Sequence, residues 1–147
     1  MKKGEKVLVV EDEGVIRKIL RLTLSKWGLE VEEAEDGLSA LAKLGKEPYA
    51  LIICDILMPN MDGWELIKQV KRNPKTQGIR IIALTSRNKD ADVRKGYELG
   101  ADYYITKPFT GAQLRFGIQM ILGENSEESS KEVNVIDLSS QFESEDL

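Results

Sequence analysis

Short apolar runs alternate along the chain with longer segments in which apolar residues recur every three or four positions. The first run, Lys6-Val7-Leu8-Val9-Val10, is followed by Ile16, Ile19, Leu20, Leu22, Thr23, Leu24 and Trp27 at helical spacing, with Arg17, Lys18, Arg21 and Lys26 on the other side. Gly28 ends that helix as a left-handed C-terminal residue would. Leu29 to Ala34 alternates polar and apolar and reads as a half-exposed edge strand. Asp36-Gly37 opens a helix carrying Leu38, Ala40, Leu41 and Leu44. The buried run Ala50 to Cys54 then leads, through a Pro/Gly loop, to a helix with Leu66, Ile67 and Val70 inward, broken at Asn73-Pro74. Next come the run Ile79 to Leu84, a charged helix from about Lys89 to Leu99, the run Ala101 to Thr106, and a last helix with Leu114, Phe116, Ile118, Met120 and Ile121. Strands alternating with helices predict an α/β fold, a doubly wound (βα)5 sandwich whose parallel sheet is covered on both faces through right-handed crossovers.

Four of these strands end in chemistry. Glu11-Asp12 closes the first, Asp55 the third, Thr85-Ser86 the fourth and Lys107-Pro108 the fifth. In an open parallel sheet the carboxyl edge is where ligands bind, so three carboxylates converge there if the strands are neighbours. Crowded carboxylates raise each other's pKa unless a cation sits among them, and an all-oxygen set suits Mg²⁺ or Mn²⁺. With no histidine and one cysteine, Cys54 inside a buried strand, the composition disfavours zinc. A carboxylate beside a divalent ion, with a hydroxyl and an ammonium group in reach, makes a phosphoryl-acceptor site, with Asp55 as nucleophile. Each residue also has a structural reading: Asp55 as a loop or capping carboxylate, Thr85-Ser86 as a helix cap, Lys107 as a surface lysine, Tyr104 as ordinary strand packing.

Composition narrows the class. At 147 residues, 41% hydrophobic and 31% charged, the chain has the makeup of one globular domain. No apolar stretch is long enough to span a bilayer, and Met1-Lys2-Lys3-Gly4 leads straight into a strand, so a cytoplasmic location without membrane contact is expected. The net charge of −4 is uneven: residues 124–147 hold eight Asp/Glu and one Lys, so −7 lies there and +3 on residues 1–123. That small surplus gives no footprint for nucleic acid. Residues 124–132 have the composition of a disordered linker, and 133–147 regain Val133, Val135, Leu138 and Phe142 as a docking motif for a partner or for the chain's own body, a frayed terminus being the competing reading. The expected division is one folded domain over 1–123 and an acidic tail over 124–147 too short to be an output module.

The set Glu11-Asp12, Asp55, Met58-Pro59, Asp62-Gly63, Thr85-Ser86 and Lys107-Pro108-Phe109, in this order on alternating elements, resembles the receiver domain of two-component response regulators across residues 6 to about 122. The resemblance implies strand order 2-1-3-4-5. It implies that Asp55 accepts a phosphoryl group from a histidine kinase or a histidine phosphotransfer protein. Mg²⁺ would be held by Asp12, Asp55 and the backbone carbonyl of Leu57, with Glu11 acting through water. Lys107 would pair with the phosphoryl oxygens, and the Lys107-Pro108 bond would be cis. Thr85 and Tyr104 would form the switch, presenting a surface to a downstream protein. Leu57 and Arg87, flanking the path of hydrolytic water, replace the polar pair that speeds dephosphorylation in this family and so predict a long-lived phosphoprotein. A signalling domain rather than an enzyme is expected. The alternatives are a receiver-fold scaffold independent of phosphorylation, or an aspartyl-phosphate phosphatase resembling the haloacid dehalogenases, for which Leu57 stands where a second Asp is needed.

Overall fold

In the computed structural model, which describes residues 4–56, 58, 61–85, 94 and 97–123, five strands lie side by side and all are parallel. In chain order the elements are β1 (Lys6–Val10), α1 (Gly14–Lys26), β2 (Glu30–Ala34), α2 (Gly37–Leu44), β3 (Leu51–Asp55), α3 (Gly63–Arg72), β4 (Arg80–Thr85), β5 (Tyr103–Thr106) and α4 (Gly111–Leu122). The sheet order is β2-β1-β3-β4-β5, the order the resemblance implied. Arg94 and Tyr97–Leu99 are helical; the rest of the predicted charged helix, together with Leu57, Ser86, Arg87 and the 124–147 tail, lies outside the described residues.

Strand side chains alternate between faces, so each buried strand feeds two cores. Leu8, Val10, Ile52, Cys54, Ile81 and Ala83 pack with Ala40 and Leu44 of α2 and Leu66, Ile67 and Val70 of α3. Val7, Val9, Leu51, Ile53, Ile82 and Leu84 face the other way onto Leu20 and Leu24 of α1 and Leu114 and Ile118 of α4. Each buried Val, Leu or Ile among them contributes roughly 1.5–3 kcal/mol on burial. β2, with one buried residue in five, is the predicted edge.

Three details depart from the periodicity. Leu22, Phe116 and Met120 are 50%, 47% and 60% exposed. Each lies two positions from a buried neighbour, about 200° around a helix, and so on its outer side. Leu29 precedes β2 rather than joining it: its N–H donates to the Leu24 carbonyl, and Gly28 turns the chain at φ +88. β5 opens at Tyr103, because Asp102 donates its N–H to the Ile81 carbonyl (2.7 Å) while its carboxylate accepts from the Ile81 N–H (2.8 Å).

Candidate phosphoryl-acceptor site

At the carboxyl edge of the sheet, one extra ladder bond just past each strand end pins the site residues. The Glu11 N–H donates to the Ala34 carbonyl (3.1 Å), the Ile56 N–H to Leu84 (3.1 Å) and the Lys107 N–H to Thr85 (2.8 Å). Glu11, Asp55 and Lys107 therefore inherit the rigidity of the sheet, because the backbone on which each side chain sits is fixed.

The three carboxylates meet: oxygens of Glu11, Asp12 and Asp55 lie within 4.8 Å of one another. Glu11 and Asp55 are buried and Asp12 is exposed. Lys107 Nζ donates to Glu11 Oε1 at 3.0 Å and to Asp55 Oδ2 at 3.4 Å. Burial, reinforced by the neighbouring Asp55 charge, pushes the Glu11 carboxyl up to about 7 against the opposing pull of Lys107. Burial lowers the affinity of the Lys107 amine for its proton, but the two carboxylates outweigh it and hold Lys107 above the usual lysine value.

Thr85, the last residue of β4, is fully buried and in register with Thr106. The Lys107-Pro108 peptide is cis, and Phe109 beyond it is anchored in the core beneath α4. Tyr104 is half-buried, with its ring 6.4 Å from that of Tyr97. Cys54 is buried, its thiol donates to the Asp55 carbonyl (3.1 Å), and burial pushes its pKa well above the usual thiol value, so it offers no thiolate to a metal. Leu57 and Arg87, singled out from the sequence, lie outside the described residues.

Two neighbours escape the periodicity of the sequence. Gly63 opens α3 directly under the acceptor: a Cβ there would stand 2.5 Å from the Asp55 carbonyl oxygen and 2.7 Å from Ile56 Cα. Asp62 caps this helix by accepting from the Glu65 N–H at 3.0 Å. Arg17, which sequence periodicity assigns to the solvent side of α1, reaches back to the Glu11 carbonyl (2.7 Å) and to Glu33 (2.9 Å).

The donor set fits a hard divalent cation: carboxylate oxygens only, a raised Glu11 that a positive charge would relieve, and no accessible thiolate or imidazole. Asp55, beside an ammonium group and among cation ligands, is arranged to attack an electrophile whose developing negative charge those groups can neutralise.

Comparison with known proteins agrees with this chemistry. A family model describing the response regulator receiver domain matches residues 7–119. The chain is 37% identical over 124 residues to the transcriptional regulatory protein ResD of Bacillus subtilis, covering 84% of this chain and 50% of ResD. It spans about half the length of the curated relatives it matches. The chemotaxis protein CheY4 of Vibrio cholerae superposes with a TM-score of 0.77 at 36% identity, covering 80% of this chain and 98% of that one. The receiver domain of the sensor histidine kinase PA1611 of Pseudomonas aeruginosa, solved with a magnesium ion coordinated in its active site cleft, gives 0.75 at 27% identity, covering 82% of this chain and 99% of that one.

Proposed function

Because this chain belongs to the response regulator receiver domain family, whose members are mainly signalling switches and bind Mg²⁺ at an acidic site, we propose that Asp55 is its phosphoacceptor. The observation that carries the reading is the convergence of three carboxylates within 4.8 Å, two of them bridged by Lys107. An Asp55 carboxylate oxygen attacks the phosphorus of a phosphohistidine on a histidine kinase or phosphotransfer protein. The O–P bond forms as the P–N bond breaks, and the imidazole released takes a proton from water. Asp12 and Asp55 would hold Mg²⁺, or Mn²⁺ in its place, with the Leu57 carbonyl as a third ligand and Glu11 acting through water. The ion would supply neutralisation of phosphoryl charge. Lys107 pairs with a phosphoryl oxygen, and Thr85 turns its hydroxyl toward the same group while Tyr104 rotates inward.

Residues 1–123 form the receiver domain in this reading, working in the cytoplasm, and 124–147 a tail carrying a docking motif. The output is a surface presented to a downstream protein, or onward relay of the phosphoryl group, without direct contact to nucleic acid or membrane. The groove between β5 and α4, lined by Tyr103, Tyr104, Pro108, Gln113 and Phe116, is the surface nearest the Tyr104 switch.

Incubation with Mg²⁺ and acetyl phosphate, followed by intact mass and Trp64 fluorescence, tests this. Wild type gains one phosphoryl mass and Asp55→Asn does not. Equal labelling of both would place the acceptor elsewhere, and no labelling of wild type by either acetyl phosphate or a phosphohistidine donor would leave a scaffold.

A further inference from the structure

Arg17 is a cation where helix electrostatics disfavours one. It lies one turn into α1, close to the positive end of the helix dipole, and the helix has no acidic residue in its first turn. Helical side chains lean toward the N-terminus, and Arg17 does so over Gly14, whose added Cβ would stand 3.8 Å from Arg17 Nη2. Its Nη1 donates to the Glu11 carbonyl at 2.7 Å and its Nε to Glu33 Oε1 on β2 at 2.9 Å. Arg21, one turn on, pairs with the other oxygen of Glu33, but no hydrogen bond from Arg21 reaches the β1–α1 turn among the described residues.

That turn carries the carboxylates. Glu11 has its N–H on Ala34 and its carbonyl on Arg17, and its side chain accepts from the Glu13 N–H at 3.1 Å. The peptide between Glu11 and Asp12 is thus fixed on the Glu11 side by the guanidinium. Asp12, exposed, depends on that peptide plane for its direction.

We propose that Arg17 is a positioning residue for the divalent-cation site, holding the Glu11–Glu13 turn so that Asp12 faces Asp55, and braced in turn by Glu33 on the edge strand. This rests on the reading of the acidic site given above. Partners that orient metal ligands typically contribute about 10–100-fold to metal affinity. A positioning role and a mere charge have opposite signs here. If Arg17 acted only through its charge, deleting it would relieve repulsion of the ion and tighten binding.

Arg17→Met, Arg17→Lys and Arg21→Met are compared with wild type in Mg²⁺ titrations followed by tryptophan fluorescence and amide chemical shifts, and in hydrogen exchange of the Glu13 amide without metal. Arg17→Met is expected to weaken Mg²⁺ binding about tenfold and speed Glu13 exchange. Arg21→Met, which loses a pair with the same Glu33, stays within about twofold, and Arg17→Lys recovers part of the affinity by reaching the carbonyl with one donor. Should Arg17→Met fail to fold, Glu33→Gln, which loosens the brace and leaves the carbonyl bond, is expected to fall between. Unchanged or tighter Mg²⁺ binding by Arg17→Met, or an equal loss in Arg21→Met, overturns the proposal while leaving the phosphoryl-acceptor reading intact. A wild type that does not respond to Mg²⁺ overturns both.

Discussion

Replacing Gly63 with alanine tests whether the acceptor is held by the backbone contact beneath it. The new methyl would sit 2.5 Å from the Asp55 carbonyl oxygen and 2.7 Å from Ile56 Cα, both backbone atoms that cannot rotate away. Recovering an ordinary separation of about 3.5 Å requires α3 and the end of β3 to part by roughly 1 Å. Overpacking of this kind costs about 1–3 kcal/mol, against about 0.5–1 kcal/mol that alanine gains over glycine in a helix. The clash wins, and a net loss near 1–2 kcal/mol lowers the melting temperature by about 4–10 °C. The Gly63 N–H also donates to the Ile56 carbonyl at 2.8 Å, so the displacement passes straight to the residue after the acceptor. Misplacement by about 1 Å can cost on the order of 100-fold in rate, and phosphoryl uptake should slow at least tenfold. Gly45→Ala is the control: its backbone is right-handed helical and its Cβ would meet nothing closer than 3.6 Å. It should melt at or slightly above wild type. Thermal melts in EDTA and the rate of mass gain from acetyl phosphate read both effects. Identical melts for Gly63→Ala and wild type would refute the packing argument, and wild-type uptake despite a lowered melt would refute its link to the acceptor.

Glu11 should make metal-free stability depend on pH. Its folded pKa, about 7, is raised above the unfolded value, so its contribution is complete below about pH 4.5 and is lost as pH rises through 7. That loss is on the order of 3 kcal/mol, and denaturant titrations in EDTA at pH 5 and 8 should show a decline that Glu11→Gln flattens; an unchanged slope in the variant would sink the assignment. Lys107→Met removes the cation lying 3.0 Å from Glu11 and 3.4 Å from Asp55, and should cut phosphoryl uptake about 100-fold while tightening Mg²⁺ binding, since the ammonium no longer competes for those oxygens. Weaker Mg²⁺ binding in that variant would contradict the competition. Leu57→Asn with Arg87→Glu should shorten the lifetime of the Asp55 phosphoryl group, measured by mass after removal of donor; decay of the wild type within seconds would dispose of the prediction.

The fold was legible because burial and periodicity coincide in this chain. Three of its strands each hold a continuous run of four apolar residues, Val7–Val10, Leu51–Cys54 and Ile81–Leu84, a pattern that fits the interior of a parallel sheet, and the alternating Leu29 to Ala34 segment fits an edge. What periodicity cannot supply is the partner of a polar group. The apolar run Ala101 to Thr106 makes Asp102 the second residue of a strand, yet both its N–H and its carboxylate engage Ile81, which a strand pattern does not encode. Leu22 and Phe116 belong to the apolar positions of their helices, while their angular positions put them outside.

The same distinction runs through the site. Asp55, Glu11 and Lys107 were visible because each terminates a buried run, and a strand end fixes a side chain's position by position in sequence alone. The roles of Arg17 and Glu33, and the close contact beneath the acceptor made by Gly63 of the Asp62-Gly63 motif, were not, because they depend on reach and on close approach between elements distant along the chain. One signal for Arg17 was present: a cation near the start of a helix with no acidic residue in its first turn is locally unfavourable and calls for a compensating partner elsewhere. For Gly63 the signal was weaker, a glycine directly after a capping aspartate and eight residues past the acceptor. Both exceptions break a local preference at a point where the backbone must come close to the carboxylates. That is the physical reason to seek the supports of such a site among residues that fit their own helix badly, and the idea is tested at Arg17 through cation affinity and at Gly63 through phosphoryl uptake.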